Sequence, residues 1–166
     1  MRAGIAFGSN LGDSLGLLRK ARALVLASPL LGPPFRASSI YLTSPVGCPP
    51  DSAPFLNGVI EAELTGEPGH LLRDLLACEE GLGRGGREKR NAPRTIDLDL
   101  LYVGDLEIRD GEITLPHSRI AERRFVLEPL AEIRPGLILP GQTATVSQLL
   151  AKLPPGDTAE ALDATW

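Results

Sequence analysis

The chain has 166 residues, 43% apolar and 23% charged, with a net charge of −4 from seventeen basic and twenty-one acidic side chains. It is long enough for one domain with a sizeable core, has no run near the roughly 18 to 20 apolar residues that span a bilayer, and lacks the bulk positive charge that wraps a nucleic-acid backbone. Two cysteines, Cys48 and Cys78, and two histidines, His70 and His117, form no CxxC pair or zinc spacing, and the N-terminus turns polar too early for a signal peptide, so a cytoplasmic protein with free thiols is expected.

In chain order, residues 2–8 (RAGIAFG) read as a strand that stops at GSNLGD. Leu15, Leu17, Leu18, Ala21, Leu24 and Val25 then recur at helical spacing, with Asp13 or Ser14 as the cap. The prolines of SPLLGPPF, residues 28–35, end that helix, and residues 36–44 (RASSIYLTS) read as a second strand. Four prolines in residues 45–54 exclude regular structure and predict a long loop, of the kind that in compact domains is commonly functional. Residues 55–65 alternate as a third strand, and Pro68 opens a helix carrying Leu71, Leu72, Leu75, Leu76 and Cys78 that Gly81 and Gly83 stop.

The next stretch, RNAPRTIDLDLL at residues 90–101, carries the fourth strand. Ile96, Leu98 and Leu100 share one face and Asp97 and Asp99 the other. Residues 103–117 then read as a small hairpin, 119–133 as a short helix and 147–153 as a last one. The order βαββαβ predicts an α+β fold of the ferredoxin-like type, an antiparallel sheet with helices mainly on one face, plus a C-terminal hairpin and short helices. The whole of 1–166 is expected to be a single domain.

Two carboxylates about 7 Å apart on one strand face repel by about 2 kcal/mol at an effective dielectric near 20, so a cation is expected between them. Magnesium suits such a pair, since it takes one or two carboxylates and completes its shell with water and phosphate oxygens. Just upstream, Arg84, Arg87, Lys89, Arg90 and Arg94 stand against Glu88 alone, and arginines grip phosphate oxygens bidentately. Together these point to phosphoryl or nucleotidyl transfer. Gly81, Gly83 and Gly86 satisfy GxGxxG, but they follow a helix and precede a basic loop, so they read as a helix stop and a hinge; no GxxxxGK[ST] loop occurs.

Other residues leave alternatives open. Glu79 and Glu80 sit at a helix C-terminus and read as surface acids or site acids. His117, in LPHSR, could donate to phosphate or cap a turn, and Phe55 and Phe125 read by default as core. A nucleotidyltransferase releasing pyrophosphate and a ferredoxin-like metabolite- or RNA-binding module are the rival readings, the latter disfavoured because basic residues and aromatics are not interleaved on the strands.

GSNLGD at 8–13, TSPVG and APFLN around the proline loop, GR with basic residues and PRTIDLDLL, then LPHSRIAERRFVLEPLAEI resemble the 6-hydroxymethyl-7,8-dihydropterin pyrophosphokinase family over about residues 3–135. The resemblance implies ATP, two Mg²⁺ ions, transfer of pyrophosphate to the pterin hydroxymethyl group and AMP as the leaving product. It implies Asp97 and Asp99 as metal ligands, Arg84 and Arg94 as catalytic cations on the triphosphate, and Glu79, Leu100, Thr114, His117 and Arg123 on the ATP side; Arg87 and Arg90, in the same basic loop, are the candidates read from this sequence for the phosphate-clamping cation. Phe55 and Phe125 would sandwich the pterin, and Asn57 would read its edge with help from Thr43 and Val46. Loops 45–54 and 83–93 would close over the ligands. Gly86 stands where many members carry an arginine and Asn91 where a tryptophan is common. Small-molecule substrates, no nucleic acid, no membrane and a monomer complete the expectation.

Overall fold

The protein was analysed as a computed structural model that describes residues 1–48, 51–83, 95–164 and 166. Strand β1 (Arg2–Ser9) leads into helix α1 (Ser14–Leu26), where the Asp13 carboxylate accepts from the Gly16 amide at 3.0 Å and satisfies one of the helix's open donors. β2 (Leu31–Ala37) and β3 (Ile40–Thr43) follow, then β4 (Phe55–Leu64) and α2 (Pro68–Gly81). The proline at the start of α2 needs no amide partner, and Gly83 just past its end has φ +92°, a backbone that only glycine takes freely. β5 (Asp97–Val103), the short hairpin β6 (Ile108–Arg109) and β7 (Thr114–Leu115), a 3-10 turn (Ile120–Glu122), α3 (Arg124–Ile133), α4 (Val146–Lys152) and β8 (Ala159–Leu162) complete the order.

The main sheet runs β5-β1-β4-β3-β8, with β2 also pairing β4, and its pairings are all antiparallel. It is the α+β, ferredoxin-like plan expected from the element order, with the hairpin and short helices added after β5. Three details differ from expectation. The single strand predicted over 36–44 is two strands, broken at Ser38 and Ser39, and the prolines expected only to end α1 lie within strand β2. The pairing of β2 with β4 goes from Gly32↔Glu63 to Arg36↔Glu61, so the residues that lack a donor or flank one are passed over by the ladder. β8 was not expected at all.

Period-two alternation divides the core in two. Ile5 and Phe7 of β1, Ile60 and Ala62 of β4 and Leu98 and Leu100 of β5 pack with Leu18, Ala21 and Val25 of α1 and Leu71 and Leu75 of α2. On the other face, Val59, Leu101 and Tyr102 pack with Val126, Leu127 and Leu130 of α3 and Val146 of α4. Each fully buried large apolar side chain stabilises by roughly 1.5–3 kcal/mol, so the short helices build a second layer rather than a decoration. Leu101 has no counterpart on β1: Gly4 pairs Tyr102 and Ile5 pairs Leu100. This bulge lets Tyr102 share the face of Asp97 and Asp99, although its position in the sequence has the opposite parity.

One charged group sits in the second layer. Glu61 of β4 is fully buried and accepts from the Tyr102 hydroxyl at 2.7 Å and the Arg134 guanidinium at 3.1 Å, with Arg2 at 3.5 Å. A buried carboxylate is tolerated only when satisfied in this way.

Candidate active site

The α3 layer covers only part of its sheet face. At the other end the sheet floor is open and lines a cleft of about 320 Å³. β5 contributes Asp97 and Asp99, β1 contributes Gly8, β4 contributes Phe55 and Asn57, and β3 contributes Thr43. The pairings Gly8↔Asp97 and Ala6↔Asp99 put both aspartates on this face, as their spacing predicts. Gly8 is required here: a Cβ would lie 2.8 Å from the Asn57 carbonyl oxygen, so any side chain would push the amide out of place.

The cleft's far wall is the segment after β7. His117 is tied to β5 by its amide, which donates to the Leu101 carbonyl at 2.7 Å, and its Nδ1 accepts from the Arg119 amide at 3.2 Å. Nε2 is thereby aimed at Asp99, 4.0 Å away. Arg123 donates to the same Asp99 oxygen at 3.2 Å, and its guanidinium carbon lies 5.3 Å from the Phe125 ring centroid, within cation–π range. Burial holds the His117 pKa below the usual imidazole range despite the upward pull of Asp99, and Arg123 and Arg119 add to the lowering. Burial also lowers Arg123, with Asp99 opposing, yet a guanidinium keeps its charge at any working pH.

Asn57 and Thr43 are 6% and 2% exposed, and the Asn57 amide nitrogen donates to the Thr43 hydroxyl oxygen at 2.6 Å. That bond fixes which end of the amide faces which way. Phe55 and Phe125 are half-buried and line the cleft from opposite elements, while Val46, 44% exposed, comes from the loop after β3.

Glu79 reaches β5 from α2. It is 1% exposed, and its carboxylate accepts from the Leu98 amide at 2.7 Å, anchoring the strand between the two aspartates. The Leu100 side chain lies in the α1/α2 core, so anything it offers a ligand would come from its backbone, and Thr114 is exposed on β7. Arg84, Arg87, Arg90 and Arg94 fall outside the described residues. Five lining residues were not singled out from sequence: Gly8, Ser44, Cys48, Arg119 and Glu122. Arg119 and Glu122 could have been picked up from their place in SRIAER beside His117 and Arg123, and Gly8 and Ser44 from GSNLGD and TSPVG; nothing in the sequence marked Cys48 as a cleft residue.

Asp97 and Asp99 supply hard oxygen donors on one wall of a polar cleft, which suits a divalent cation such as magnesium. Among the described residues no group of three or more histidine, cysteine, aspartate or glutamate side chains converges to hold a metal. The rest of such an ion's shell would be water and phosphate oxygens. The arrangement as a whole pairs a flat apolar slot, with an oriented amide at its base, with a wall of opposed acids and cations. It can hold a planar heterocycle beside a polyphosphate.

The family model for 7,8-dihydro-6-hydroxymethylpterin-pyrophosphokinase matches residues 4–135. Among curated proteins, the 2-amino-4-hydroxy-6-hydroxymethyldihydropteridine pyrophosphokinase of Methylorubrum extorquens is 40% identical over 154 residues, 93% of this chain and 94% of its own length. The enzyme of the same name from Bacillus subtilis is 44% identical over 129 residues, 78% of this chain and 75% of its own. Among solved structures, a Plasmodium falciparum HPPK-DHPS with pteroate superposes with a TM-score of 0.70 at 14% identity, covering 91% of this chain and 42% of that longer one, a likeness of fold. With four fifths of its length inside the family model and full-length relatives at this identity, the chain belongs to the 7,8-dihydro-6-hydroxymethylpterin-pyrophosphokinase family.

Proposed function

We propose that the cleft walled by Asp97, Asp99, His117 and Arg123 is where this pyrophosphokinase transfers the pyrophosphoryl group of ATP to 6-hydroxymethyl-7,8-dihydropterin, a step of folate biosynthesis. The hydroxymethyl oxygen attacks the β-phosphorus, the bond from that phosphorus to the α,β-bridging oxygen breaks, AMP leaves and the hydroxyl proton is lost. The observation that carries this reading is the joining, in one cleft, of the buried Asn57–Thr43 pair and two phenyl rings with the same-face aspartates.

Phe55 and Phe125 hold the pterin ring by its faces, and Asn57, its amide set by Thr43, reads the ring's hydrogen-bonding edge, with Val46 at the cleft mouth. Asp97 and Asp99 would hold two magnesium ions, which, when bound, cancel negative charge on the carboxylates and phosphate oxygens together. Arg123 and His117 face the phosphates from the opposite wall, and Arg123 exchanges its bond to Asp99 for one to a phosphate oxygen as the nucleotide enters. Glu79 keeps Asp97 and Asp99 in register by fixing the Leu98 amide. Arg84, Arg87, Arg90 and Arg94 bring further positive charge to the triphosphate, with Leu100 backbone and Thr114 near the base. The cleft aligns acceptor oxygen and β-phosphorus in line, which supplies most of the rate in reactions of this kind.

Residues 1–166 would act as one domain, since both core layers share a single sheet. The protein would work as a cytoplasmic monomer on small molecules; both cysteines are free, and no helix among the described residues is long and apolar enough to cross a membrane. Incubation with ATP, Mg²⁺ and hydroxymethyldihydropterin should yield AMP and a pterin diphosphate in equal amounts. ADP or free pyrophosphate as the nucleotide-derived product would overturn the assignment.

A further inference from the structure

Residues 158–164 and 166 lie beyond the stretch that matches the family model, yet they pack against Thr43 and against the neighbour of Asn57 from two directions. From the edge, β8 pairs β3 in the register Thr43↔Ala159, and the ladder continues past it: the Ser44 amide donates to the Thr158 carbonyl at 3.1 Å, and the Thr158 amide to the Ser44 hydroxyl oxygen at 3.0 Å. Without β8, β3 would be a four-residue edge strand ending in a proline-rich loop, and Thr43 is its last residue. From behind, Trp166 lies against the face of β4 opposite the cleft. Its ring meets Gly58, the neighbour of Asn57, so closely that a Cβ there would be 2.6 Å from it.

The indole is fixed on three further sides. Its Nε1 donates to the Ser38 carbonyl at 2.8 Å, its ring makes an edge-to-face contact with Phe7 at 5.0 Å and 88°, and its backbone oxygen accepts from Arg22 of α1. Ser38 is itself bonded to β4, its hydroxyl oxygen accepting from the Val59 amide at 3.0 Å. So the indole bridges the break between β2 and β3 to Gly58 and, through Ser38, to Val59, the two β4 residues that follow Asn57. An amide that must meet a ring edge tolerates little displacement, and a buried Asn whose backbone can drift loses its geometry before its fold.

We propose that Trp166 and β8 are positioning elements for pterin recognition, clamping Asn57 from behind and Thr43 from the strand edge so that the 2.6 Å bond between them is held in the orientation the pterin requires. The inference rests on the reading of Asn57 and Thr43 as the pterin-reading pair.

The test is steady-state kinetics on the full chain with each substrate varied in turn, for wild type, Trp166→Ala, Trp166→Leu, Trp166→Phe and Asn57→Ala, with thermal melts in parallel. Trp166→Ala should raise the KM for hydroxymethyldihydropterin about tenfold and leave the KM for ATP within about twofold, the selectivity expected when one oriented contact is loosened. Trp166→Phe, which keeps a ring edge on Phe7 and Gly58, should recover most of that loss. Where Trp166→Ala is unfolded at the assay temperature, the Leu variant carries the same comparison against Phe. Unchanged pterin KM in a folded Trp166→Ala or Trp166→Leu, or equal rises for both substrates, would overturn the clamp. An Asn57→Ala protein with normal pterin KM would overturn the underlying reading instead, and the two failures are read from separate variants.

Discussion

Replacing Asp99 by asparagine keeps the side chain's shape and removes one charge, and the structure allows both consequences to be sized. In the ligand-free protein the loss of repulsion from Asp97, about 7 Å away along the strand, is worth about 2 kcal/mol in favour of the variant. Against it stands the lost ion pair with Arg123 at 3.2 Å, whose partners are 31% and 16% exposed and which contributes about 1 kcal/mol. The two nearly cancel, so the melting temperature should move by less than about 5 °C. With magnesium and an unreactive ATP analogue at a hundred times the dissociation constant, wild type should gain about 2.7 kcal/mol, or about 5–10 °C. Asp99→Asn should lose most of that gain, and AMP formation should fall by about 10³-fold, roughly 4 kcal/mol of barrier. Differential scanning fluorimetry across a magnesium titration and a coupled AMP assay read the two effects separately. A variant with wild-type turnover at limiting magnesium, or with an unaltered magnesium-dependent shift, would refute the assignment of this carboxylate.

Phe125→Ala should weaken pterin binding by about 10- to 100-fold while changing ATP binding about threefold or less, measured by calorimetry with each ligand, because it removes a stacking face but leaves Arg123 in place; equal losses would put the ring in the core. Glu61→Ala should lower stability by about 1–3 kcal/mol in urea denaturation, since it leaves the buried Tyr102 hydroxyl without its acceptor and takes a carboxylate from Arg134 and Arg2, which are 29% and 28% exposed; a loss under about 0.5 kcal/mol would mean that water satisfies the phenol. Both tyrosines are pushed above the ordinary value of 10.0, by burial first and then by a bond to a carboxylate, Glu132 for Tyr41 and Glu61 for Tyr102. The neutral phenol is the form the folded state favours, so the tyrosines' contribution to stability is constant below pH 10 and falls as the unfolded chain ionises above it. Tyrosinate absorbance should therefore appear together with loss of far-ultraviolet circular dichroism, and a phenol titrating near pH 10 in the folded protein would contradict this.

The elements with strong periodicity were legible in the sequence: β1, α1, β4, α2 and β5 all lie where alternation or helical spacing predicts them, and the DLD pattern gave the shared face of the two carboxylates. β2 was not, because Pro33 and Pro34 read as a breaker while the ladder simply passes them by. β8, with the sequence AEAL, carries no β-branched or aromatic residue; tertiary pairing with β3 forms it against weak propensity. The helix position of Glu79 left surface and site roles open, and only the approach of β5 makes it a buried anchor. GSNLGD could single out Gly8 but not its place in the cleft floor, because what requires it there is an amide forty-nine residues later in the chain.

The extra residue at Leu101 sets which end of β5 carries which group. With strict alternation Tyr102 would turn away from the face of Asp97 and Asp99, into the α1/α2 core beside Leu98 and Leu100. The one-residue shift instead aims its phenol at Glu61, so a single added residue decides that the strand's acid pair and its buried tyrosine look the same way.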